Sequence, residues 1–404
     1  MIKDKILEGK HILIGVTGGI AAYKIPDLIS RLTKLGAEVK VVMTKAATEF
    51  VAPLTFQTMS HNPVATDMFA EPSSWDVRHI SLAQWADVFL VAPATANIIG
   101  KMANGIADDM LSTVLMATRA QILVAPAMNT AMYENAAVQE NIETLKHRGV
   151  KIIEPDEGRL ACGDDGKGKL APIETLLDAV VLETAFEKDL KGKKILVTAG
   201  ATKEAIDPVR YITNHSSGKM GIEVARAARL RGASVTLVCA NITCELPLGV
   251  ELVKVESARG MFDVCTSRQN EFDVIIKAAA VADFRPVSVA QNKIKKDGGA
   301  LSSGVALEPN PDILKTLGEN KKDGQVLVGF CMETENLIDN AKKKLESKNL
   351  DFIAANSLLE PDAGFKSDTN TVTFLDKDGT VEPLLNMSKF SVAQKLLDRV
   401  KKCL

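Results

Sequence analysis

The chain has 404 residues, 46% of them hydrophobic and 25% charged, which indicates a globular protein long enough for two domains of ordinary size. Its 49 basic and 51 acidic residues leave no basic field for nucleic acid. No apolar run approaches the roughly 20 residues of a membrane span, and the charged start MIKDKILEGK lacks the apolar core of a signal peptide. Six cysteines without paired CxxC spacing argue against a disulfide framework and the usual zinc site. We therefore expect a cytoplasmic protein with reduced thiols that binds neither nucleic acid nor membranes.

The N-terminal segment predicts a strand, a glycine turn, a helix and a second strand. Between the runs HILIGV and VKVVMT, the apolar residues Ile25, Leu28, Ile29 and Leu32 recur at the spacing of one helix face. Later runs alternate with helical segments and are too apolar for a sheet with one wet face. We therefore predict further parallel strands at 87–93, 121–126 and 150–155.

The loop VTGGIAAYK, after the first strand, is typical of a phosphate site. It is rich in glycine and opens a helix, so its backbone N–H groups can face a phosphate at the positive helix end. A dinucleotide fold would show GxGxxG and an acidic residue closing the second strand, but that strand ends at Thr44. A mononucleotide therefore fits better, and a tight turn without a ligand is the alternative.

The third predicted strand leads into the segment APATANIIGKMANGIADD. Small and polar residues follow the strand at its carboxyl end, where open α/β sheets bind their ligands. These residues are Pro93, Ala94, Thr95 and Asn97, and the helix that follows carries Lys101 and Asp108.

The opening pattern recurs in outline after the charged stretch EKDLKGKK. The second copy consists of KKILVTAGAT, a helix pattern over 218–230 and the strand-like run SVTLVCA. Further strands are predicted in FDVIIKAAAVADF, QVLVGF and LDFIAANS, and the turn DKDG predicts a hairpin between TVTFL and TVEPL. We place the domain boundary near Leu190, with domains 1–190 and 191–404. Both are expected to be three-layer α/β folds, flavodoxin-like or Rossmann-like in the first half and Rossmann-like in the second.

Three more stretches of the first half carry a family resemblance. HISLA at 79–83, PAMNTAMY at 126–133 and ACGDDGKGKL at 161–170, taken with the strand-end segment, resemble the phosphopantothenoylcysteine decarboxylase half of the bifunctional coenzyme A biosynthesis flavoproteins. The resemblance implies FMN as the cofactor of domain 1–190. The implied FMN-binding positions are Gly18, Gly19, Ile20, Thr44, Pro93, Ala94, Thr95, Asn97, Ala107 and Asp108.

The resemblance also implies catalytic roles. His79 would be the base of the first steps, Asn129 would hold the substrate carboxylate, and Cys162 would protonate the enethiol left after loss of carbon dioxide, on a lid over the substrate. Taken singly, a surface histidine and a helix-capping asparagine are the more common interpretations of the first two. Tyr133 and Lys169 stand where the family more often has Trp and Arg, and Lys169 offers a point charge in place of a bidentate fork.

The second half resembles the phosphopantothenate-cysteine ligase half of the same enzymes. The motifs are TAGATKEAIDPVRYITNHSSGKMG, AAAVADF at 278–284, NKIKK at 292–296, NPDI at 310–313, VGF at 328–330 and AKKKLESKN at 341–349. Ala201 replaces a second glycine of the family turn, which requires an allowed backbone angle at that residue. A simple serine cap at the helix start and a solvated lysine face at Lys344 and Lys348 are the alternatives for two of these motifs.

The implied ligase reaction activates a carboxylate with CTP and Mg²⁺, giving an acyl-cytidylate that cysteine then attacks. Lys293 would stabilise the leaving pyrophosphate, and Arg210 and Asn214 would hold the acyl intermediate. The metal ligands stay unassigned. The remaining nucleotide-binding positions implied are Ala279, Asp283, Asn310, Pro311, Asp312, Ile313, Phe330, Lys344 and Lys348.

The small-molecule partners implied are 4′-phosphopantothenate, cysteine, CTP and phosphopantothenoylcysteine. Related decarboxylase halves form trimers and ligase halves dimers, so we expect a homo-oligomer, up to a dodecamer. Two other functions stay open. A binding protein of the same fold without catalysis is disfavoured by the presence of His79, Asn129 and Cys162, and a peptidyl-cysteine decarboxylase is disfavoured by the ligase motifs.

Overall fold

The structure is a computed structural model of the chain. It describes residues 4–69, 77–160, 163–295, 304–333, 335–357 and 369–404. The chain divides into two compact units, Met1–Phe186 and Glu187–Leu404, called here the N-terminal and C-terminal units.

The N-terminal unit is built on a five-stranded parallel sheet with the order β2-β1-β3-β4-β5. This is the flavodoxin-like order, whose switch point lies between β1 and β3. The strands are β1 (His11–Val16), β2 (Glu38–Met43), β3 (Val88–Ala94), β4 (Gln121–Pro126) and β5 (Lys151–Ile152). A hairpin of β6 (Asp156–Arg159) and β7 (Asp165–Lys169) follows the last strand.

Helices cover both faces of this sheet. On one face α1 and α9 pack on the strands, and on the other the buried residues of α4, α5, α6 and α8 form one core with Leu13, Phe89 and Val124. The helices are α1 (Ile25–Lys34), α2 (Lys45–Thr48), α3 (Pro53–Ser60), α4 (Arg78–Trp85), α5 (Ala96–Asn104), α6 (Met110–Ala117), α7 (Thr130–Glu134), α8 (Ala136–His147) and α9 (Ile173–Thr184).

The C-terminal unit contains an eight-stranded sheet with the order β12-β11-β8-β13-β16-β17-β18-β19. The first six strands in this order are parallel, and the last two form an antiparallel hairpin. The strands are β8 (Lys194–Ala199), β11 (Ser234–Cys239), β12 (Glu251–Lys254), β13 (Val274–Lys277), β16 (Val326–Glu333), β17 (Phe352–Ser357), β18 (Thr369–Asp376) and β19 (Val381–Ser388). Two small ribbons join β9 (Lys203–Ala205) to β10 (Tyr211–Thr213) and β14 (Phe284–Pro286) to β15 (Leu307–Pro309).

This second sheet also lies between two helix layers. The first layer is α10 (Lys219–Leu230) and α14 (Lys389–Cys403), and the second is α11 (Ala258–Ser267), α12 (Ile313–Glu319) and α13 (Leu337–Ser347). The second layer shares one core with Leu196, Ile275 and Leu327 of the sheet. Both units are therefore three-layer α/β folds, which confirms the predicted fold class.

Most predicted strands match the structure within one or two residues, and DKDG does join an antiparallel hairpin. Two runs are exceptions, because only Lys151–Ile152 of the run at 150–155 forms a strand, and FDVIIKAAAVADF forms β13 at Val274–Lys277 and reaches β14 only with its last residue, Phe284. Val150 donates its amide to Leu145 O at the end of α8, and Pro155 has no amide to donate. Among the described residues, no helix combines the length and apolar character needed to cross a membrane.

Helix α10 lies directly on strand β8. A Cβ atom on Gly221 would come within 2.7 Å of both Ala199 Cβ and Thr198 O, so no larger side chain fits there. The start of α10 is thereby held beside the carboxyl end of β8.

Arg231, the residue after the last turn of α10, binds the C-terminal end of this helix to its neighbours. Its guanidinium donates from Nε and Nη2 to the two carboxylate oxygens of Asp189, at 2.9 and 2.6 Å, and from Nη1 to Asp398 of α14 at 2.8 Å. The Arg231 side chain is only 6% exposed. Hydrogen bonds from Arg231 lower the pKa of Asp189 from 3.8 to about 2.

We predict that Arg231→Met lowers the free energy of unfolding by about 3 kcal/mol, because the variant removes both guanidinium hydrogen bonds from the mostly buried Asp189 carboxylate and leaves it only the contact with Lys401 at 3.0 Å. Arg268→Met is the matched control, since Arg268 pairs with exposed Glu251 and Glu271 and should cost less than about 1 kcal/mol. Calorimetry of the full-length proteins measures both.

The pH dependence of this difference follows from the lowered pKa of Asp189. The contribution is fully present above the ordinary aspartate range and is lost as the pH falls through the folded value. The gap in unfolding free energy between wild type and Arg231→Met should therefore be constant above about pH 5 and shrink toward about pH 2. Equal losses for the two arginine variants at neutral pH would refute the assignment.

Candidate active sites

In the N-terminal unit, the loop after β1 lies against the start of α2. A Cβ atom on Gly18 would come within 2.6 Å of Ala46 Cβ, so only glycine lets the loop backbone approach this closely. Gly19 lies near Thr95 and Pro93, since a Cβ there would be 3.8 Å from Thr95 Cγ2 and 4.0 Å from Pro93 Cγ. The glycine loop and the end of β3 therefore form one surface.

Thr17 joins the ends of the two central strands. Its hydroxyl donates to Pro93 O at 2.6 Å and accepts from Thr95 N at 3.1 Å, and the side chain is almost fully buried. This places the end of β1 and the start of α5 at the switch point of the sheet, where this type of fold binds its ligands.

The remaining expected cofactor residues lie in the loops and helix starts that follow the carboxyl ends of the strands. Thr44 caps α2 by accepting from Ala47 N, and Thr95 caps α5 by accepting from Ile98 N. Ala94 ends β3 and is buried, whereas Ile20, Asn97 and Ala107 are exposed.

Asp108 lies between α5 and α6, not on the helix that carries Lys101 as expected, and belongs to an ion cluster at the end of the segment APATANIIGKMANGIADD. Lys101 Nζ lies 2.5 Å from Asp108 Oδ1 and 2.8 Å from Asp109 Oδ2. Asp109 also caps α6 through a reciprocal pair of hydrogen bonds with Ser112. Although burial opposes it, hydrogen bonding from Lys101 and Ser112 lowers the pKa of Asp109. The cluster fixes the chain direction between α5 and α6.

Asn129 follows strand β4 and makes hydrogen bonds to the backbone of α7 and to a side chain of the hairpin. Its Oδ1 accepts from Ala131 N at 2.9 Å, which caps α7, and its Nδ2 donates to Asp164 Oδ2 at 2.7 Å. Asp164 lies in the connection of the β6–β7 hairpin. The helix-cap interpretation of Asn129 therefore holds in this structure, and its amide nitrogen faces a carboxylate.

The β6–β7 hairpin docks on the loop that carries Asn129. Gly168 O accepts from Met128 N at 2.9 Å. Tyr133, the residue where the family more often has Trp, donates its hydroxyl to Glu154 at 3.0 Å. Glu154 also pairs with Lys167 of β7 at 2.8 Å. Burial and the hydrogen bond to Glu154 raise the pKa of the Tyr133 hydroxyl, so this tyrosine stays a neutral link to the hairpin.

The other two expected catalytic residues of this unit are His79 and Cys162. His79 is half-buried in the first turn of α4, and its side chain makes no hydrogen bond to a described residue. Cys162 lies outside the described residues. Lys169 pairs in register with Asp156 across the hairpin.

In the C-terminal unit, the turn after β8 lies between two other strand ends. Ala201 forms backbone bridges to Asn241 after β11 and to Ala280 after β13. Its φ is not positive, in contrast to Gly200 with φ of 86°. The substitution of the family glycine by Ala201 is therefore compatible with the backbone.

Arg210 and Asn214 lie at opposite ends of the small strand β10. Arg210 Nη1 donates to Asp207 Oδ2 at 3.0 Å and to Ile294 O at 3.1 Å, and Ile294 N also donates to Asp207. Arg210 and Asp207 thereby hold the segment in which Lys293 is exposed. Asn214 is exposed as well and donates to Ala280 O at 3.2 Å.

The expected nucleotide positions gather at the ends of β13 and β16. Ala279 N donates to Thr198 Oγ1 at 3.1 Å. Asn310 donates to Asp283 O and Ala282 O, which brings the two motifs that contain these residues together. Phe330 lies on β16 and is half-buried. Pro311 is half-buried too, whereas the side chain of Ile313 belongs to the core, so only its backbone can face a ligand.

Lys344 and Lys348 both have carboxylate partners. Lys344 Nζ lies 2.6 Å from Glu333 Oε1 at the end of β16. Lys348 Nζ lies 2.9 Å from Asp312 Oδ2, and Asp312 also caps α12. Lys344 lies on α13, whereas Lys348 caps its C-terminal end, so only one of the two lysines predicted to share a helix face lies within the helix.

Sequence reasoning missed Thr17, Asp207, Glu333 and Lys277. Thr17 adjoins the glycine pair at a strand end, which is a usable signal, whereas Asp207 and Glu333 act through tertiary contacts that no local pattern reveals. No group of three or more His, Cys, Asp or Glu residues in the described ranges could hold a metal ion.

Comparisons with known proteins agree on both units. The family model described as Flavoprotein matches residues 2–185. The model described as DNA/pantothenate metabolism flavoprotein C-terminal domain matches residues 190–404, which is more than half of the chain.

Relatives match the whole chain. The coenzyme A biosynthesis bifunctional protein CoaBC of Bacillus subtilis is 47% identical over 98% of this chain and 97% of its own length. The protein of that name from Escherichia coli is 43% identical over 98% and 97%. A crystal structure of the C-terminal domain of a CoaBC protein is 42% identical, covers 54% of this chain and 97% of its own, and gives a TM-score of 0.45. The chain belongs to the family of coenzyme A biosynthesis bifunctional proteins.

Proposed function

We propose that this chain is a bifunctional enzyme that joins cysteine to 4′-phosphopantothenate and then decarboxylates the product to 4′-phosphopantetheine. The ligase reaction is assigned to 191–404 and uses CTP. The decarboxylase reaction is assigned to 1–190 and uses FMN. The observation that carries the proposal is the match of nearly the whole chain to bifunctional relatives at 47% identity.

The first ligase step needs positive charge where pyrophosphate leaves. The carboxylate of 4′-phosphopantothenate attacks the α-phosphate of CTP, so negative charge accumulates on the departing oxygens. Lys293 is exposed beside Ile294, whose backbone is held by Asp207 and Arg210. Because this segment is already anchored, the Lys293 ammonium can reach these oxygens with little loss of conformational entropy on binding.

The second ligase step needs an oriented acyl group. Asn214 donates to Ala280 O, next to the expected nucleotide position Ala279. A neutral amide here can hold the acyl-cytidylate while the amine of cysteine attacks and CMP leaves. Because the amide is uncharged, it does not compete with the cations that bind the phosphates. This assigns Lys293 to the first step and Asn214 to the second.

The residues of the N-terminal unit suit a flavin mononucleotide. Gly18 allows close backbone approach, the strand ends are tied by Thr17, and the start of α5 supplies free N–H groups at the same edge. Bound FMN would supply the oxidation of the substrate thiol to a thioaldehyde, which makes loss of carbon dioxide possible.

The protein residues position the decarboxylase substrate and move its protons. Asn129 would hold the substrate carboxylate through the amide nitrogen that now donates to Asp164, so Asp164 must yield this donor when substrate binds. His79 would act as base before loss of carbon dioxide, since an imidazole nitrogen can accept a proton within hydrogen-bond reach of the substrate. Cys162 would protonate the enethiol, and the neighbouring hairpin would shield it from water.

Four finer expectations rest on the resemblance and stay part of this proposal. They are Mg²⁺ bound with CTP, a homo-oligomer with trimeric decarboxylase and dimeric ligase contacts, a cytoplasmic location, and the division of the two activities near Leu190. The position of Leu190 supports this division of the activities, because its side chain is buried and its backbone N–H donates to Arg231 O within the C-terminal unit.

Product analysis tests the proposal directly. The purified full-length protein, mixed with 4′-phosphopantothenate, cysteine, CTP and Mg²⁺, should release CMP, pyrophosphate and carbon dioxide and form 4′-phosphopantetheine. The flavin released on denaturation should be FMN. A colourless protein without turnover would favour a binding protein of the same fold, and release of FAD would refute the mononucleotide assignment.

We predict that the two decarboxylase variants stop at different steps of the reaction. Cys162→Ser should still release carbon dioxide but accumulate the enethiol, because only the final protonation is lost. His79→Asn should release no carbon dioxide, because the first step is lost. Gas release and mass spectrometry of the thiol products measure this. Normal turnover by Cys162→Ser would make this cysteine a structural thiol.

We predict that Lys293→Gln slows pyrophosphate release roughly a hundredfold or more, the typical cost of a lost transition-state charge contact. Lys295→Gln is the matched control, because Lys295 is an exposed lysine of the same segment and should change the rate little. Asn214→Asp should form the acyl-cytidylate and slow its reaction with cysteine. Accumulation of the intermediate by Lys293→Gln, with none formed by Asn214→Asp, would reverse the two roles.

A further inference from the structure

Lys277 is a cation that the proposed reaction does not use. It is the last residue of β13 and pairs in register with Thr198 of β8 and Gly329 of β16, at the carboxyl edge of the sheet. Alternation along the strand puts it on the same face as Ile275, which belongs to the core between the sheet and α11–α13. The side chain is partly buried. An apolar strand thus ends in a lysine on its core-facing side.

Two other lysines among the expected nucleotide positions, Lys344 and Lys348, have carboxylate partners. Lys344 pairs with Glu333 at 2.6 Å and Lys348 with Asp312 at 2.9 Å. The Lys277 ammonium makes no hydrogen bond or ion pair with any residue that the structure describes. Its ammonium therefore lacks the contact that the other two have.

The surroundings of Lys277 confirm that its charge is poorly compensated. Burial and the like charge of Lys348 lower its pKa, and the opposing effects of Asp312, Cys265 and Asp283 do not restore it. These groups face it from the start of α12, from α11 and from the segment after β13. A partly buried ammonium without a partner is unfavourable unless an anion joins it.

We propose that Lys277 binds a phosphate oxygen of the triphosphate of the nucleotide substrate. The inference rests on the proposed ligase function, and three observations carry it. Lys277 lies beside Asp312, Lys348 and Asp283, which are expected nucleotide positions, its side chain lies on the same sheet face as α13 with Lys344 and Lys348, and no carboxylate of the described residues neutralises it.

The triphosphate fits this place better than the other groups of the substrates. Cytosine and ribose are uncharged, so they would leave the ammonium uncompensated, whereas a charge-assisted hydrogen bond to phosphate compensates it. Lysine suits such a contact because its ammonium is a compact point charge on a flexible stem. Binding would also favour the protonated form of Lys277.

The test compares Lys277→Met with wild type by calorimetric binding of two probes, inorganic triphosphate and cytidine, to the full-length protein. Affinity for triphosphate should fall about tenfold to a hundredfold, the range for one lost hydrogen bond to a charged group. Affinity for cytidine should not change. In turnover, KM for CTP should rise more than kcat falls.

Lys315→Met is the matched control. Lys315 lies on α12, the helix that Asp312 caps, but its ammonium is exposed and 3.9 Å from Glu319. The same substitution there should leave both affinities and KM unchanged. A loss of triphosphate affinity equal to that of Lys277→Met would overturn the proposal, because the effect would then be one of general charge.

Two further measurements keep the proposal open to refutation. In wild type, triphosphate affinity should weaken with rising pH before ordinary lysines titrate, and Lys277→Met should lack this phase. Lys277→Arg should recover part of the affinity. Unchanged triphosphate binding in Lys277→Met, or a loss for cytidine alone, would overturn the assignment. If wild type forms no product from CTP, the ligase proposal fails, while the binding of triphosphate still decides the role of Lys277.

Discussion

Parallel pairing of buried strands is the constraint on which both candidate sites depend. It brings the carboxyl ends of consecutive strands to one edge, where loops are free to carry ligand-binding groups. In both units a threonine hydroxyl ties the two strands at the switch point. Thr17 joins β1 to the end of β3, and Thr198 of β8 accepts from Ala279 after β13. The sheet and these ties fix where each site can form.

Much of this framework follows from the sequence. Apolar runs too continuous for a one-sided sheet, separated by helical patterns, are sufficient to predict parallel strands covered on both faces. The glycine turns mark which strand ends carry sites. Helix spacing also predicts that Lys344 and Lys348 share a face, although α13 ends before Lys348. The strands and turns are local features, so chain order alone reveals them.

What the sequence does not reveal is the pairing between distant residues. Asp207 anchors the segment of Lys293 across more than eighty residues, and Glu333 and Asp312 each neutralise one lysine of α13. That Lys277 has no such carboxylate partner among the described residues is known only from the structure. Asn129 shows a different limit of the sequence, which offers a helix cap and a substrate-binding amide as alternatives. In the structure its Oδ1 caps α7 while its Nδ2 donates to Asp164, so the two roles are compatible.

The central claim is that each unit carries its own complete site, and complementation between full-length variants tests it most directly. Cys162→Ser would lose only the final protonation of the decarboxylase reaction, and Lys293→Gln only the fast first step of the ligase reaction. A mixture of the two proteins, given 4′-phosphopantothenate, cysteine and CTP, should form 4′-phosphopantetheine by passing phosphopantothenoylcysteine through solution, although neither does so alone. Failure of the mixture, with each variant folded and its intact site active on its own substrate, would contradict the account.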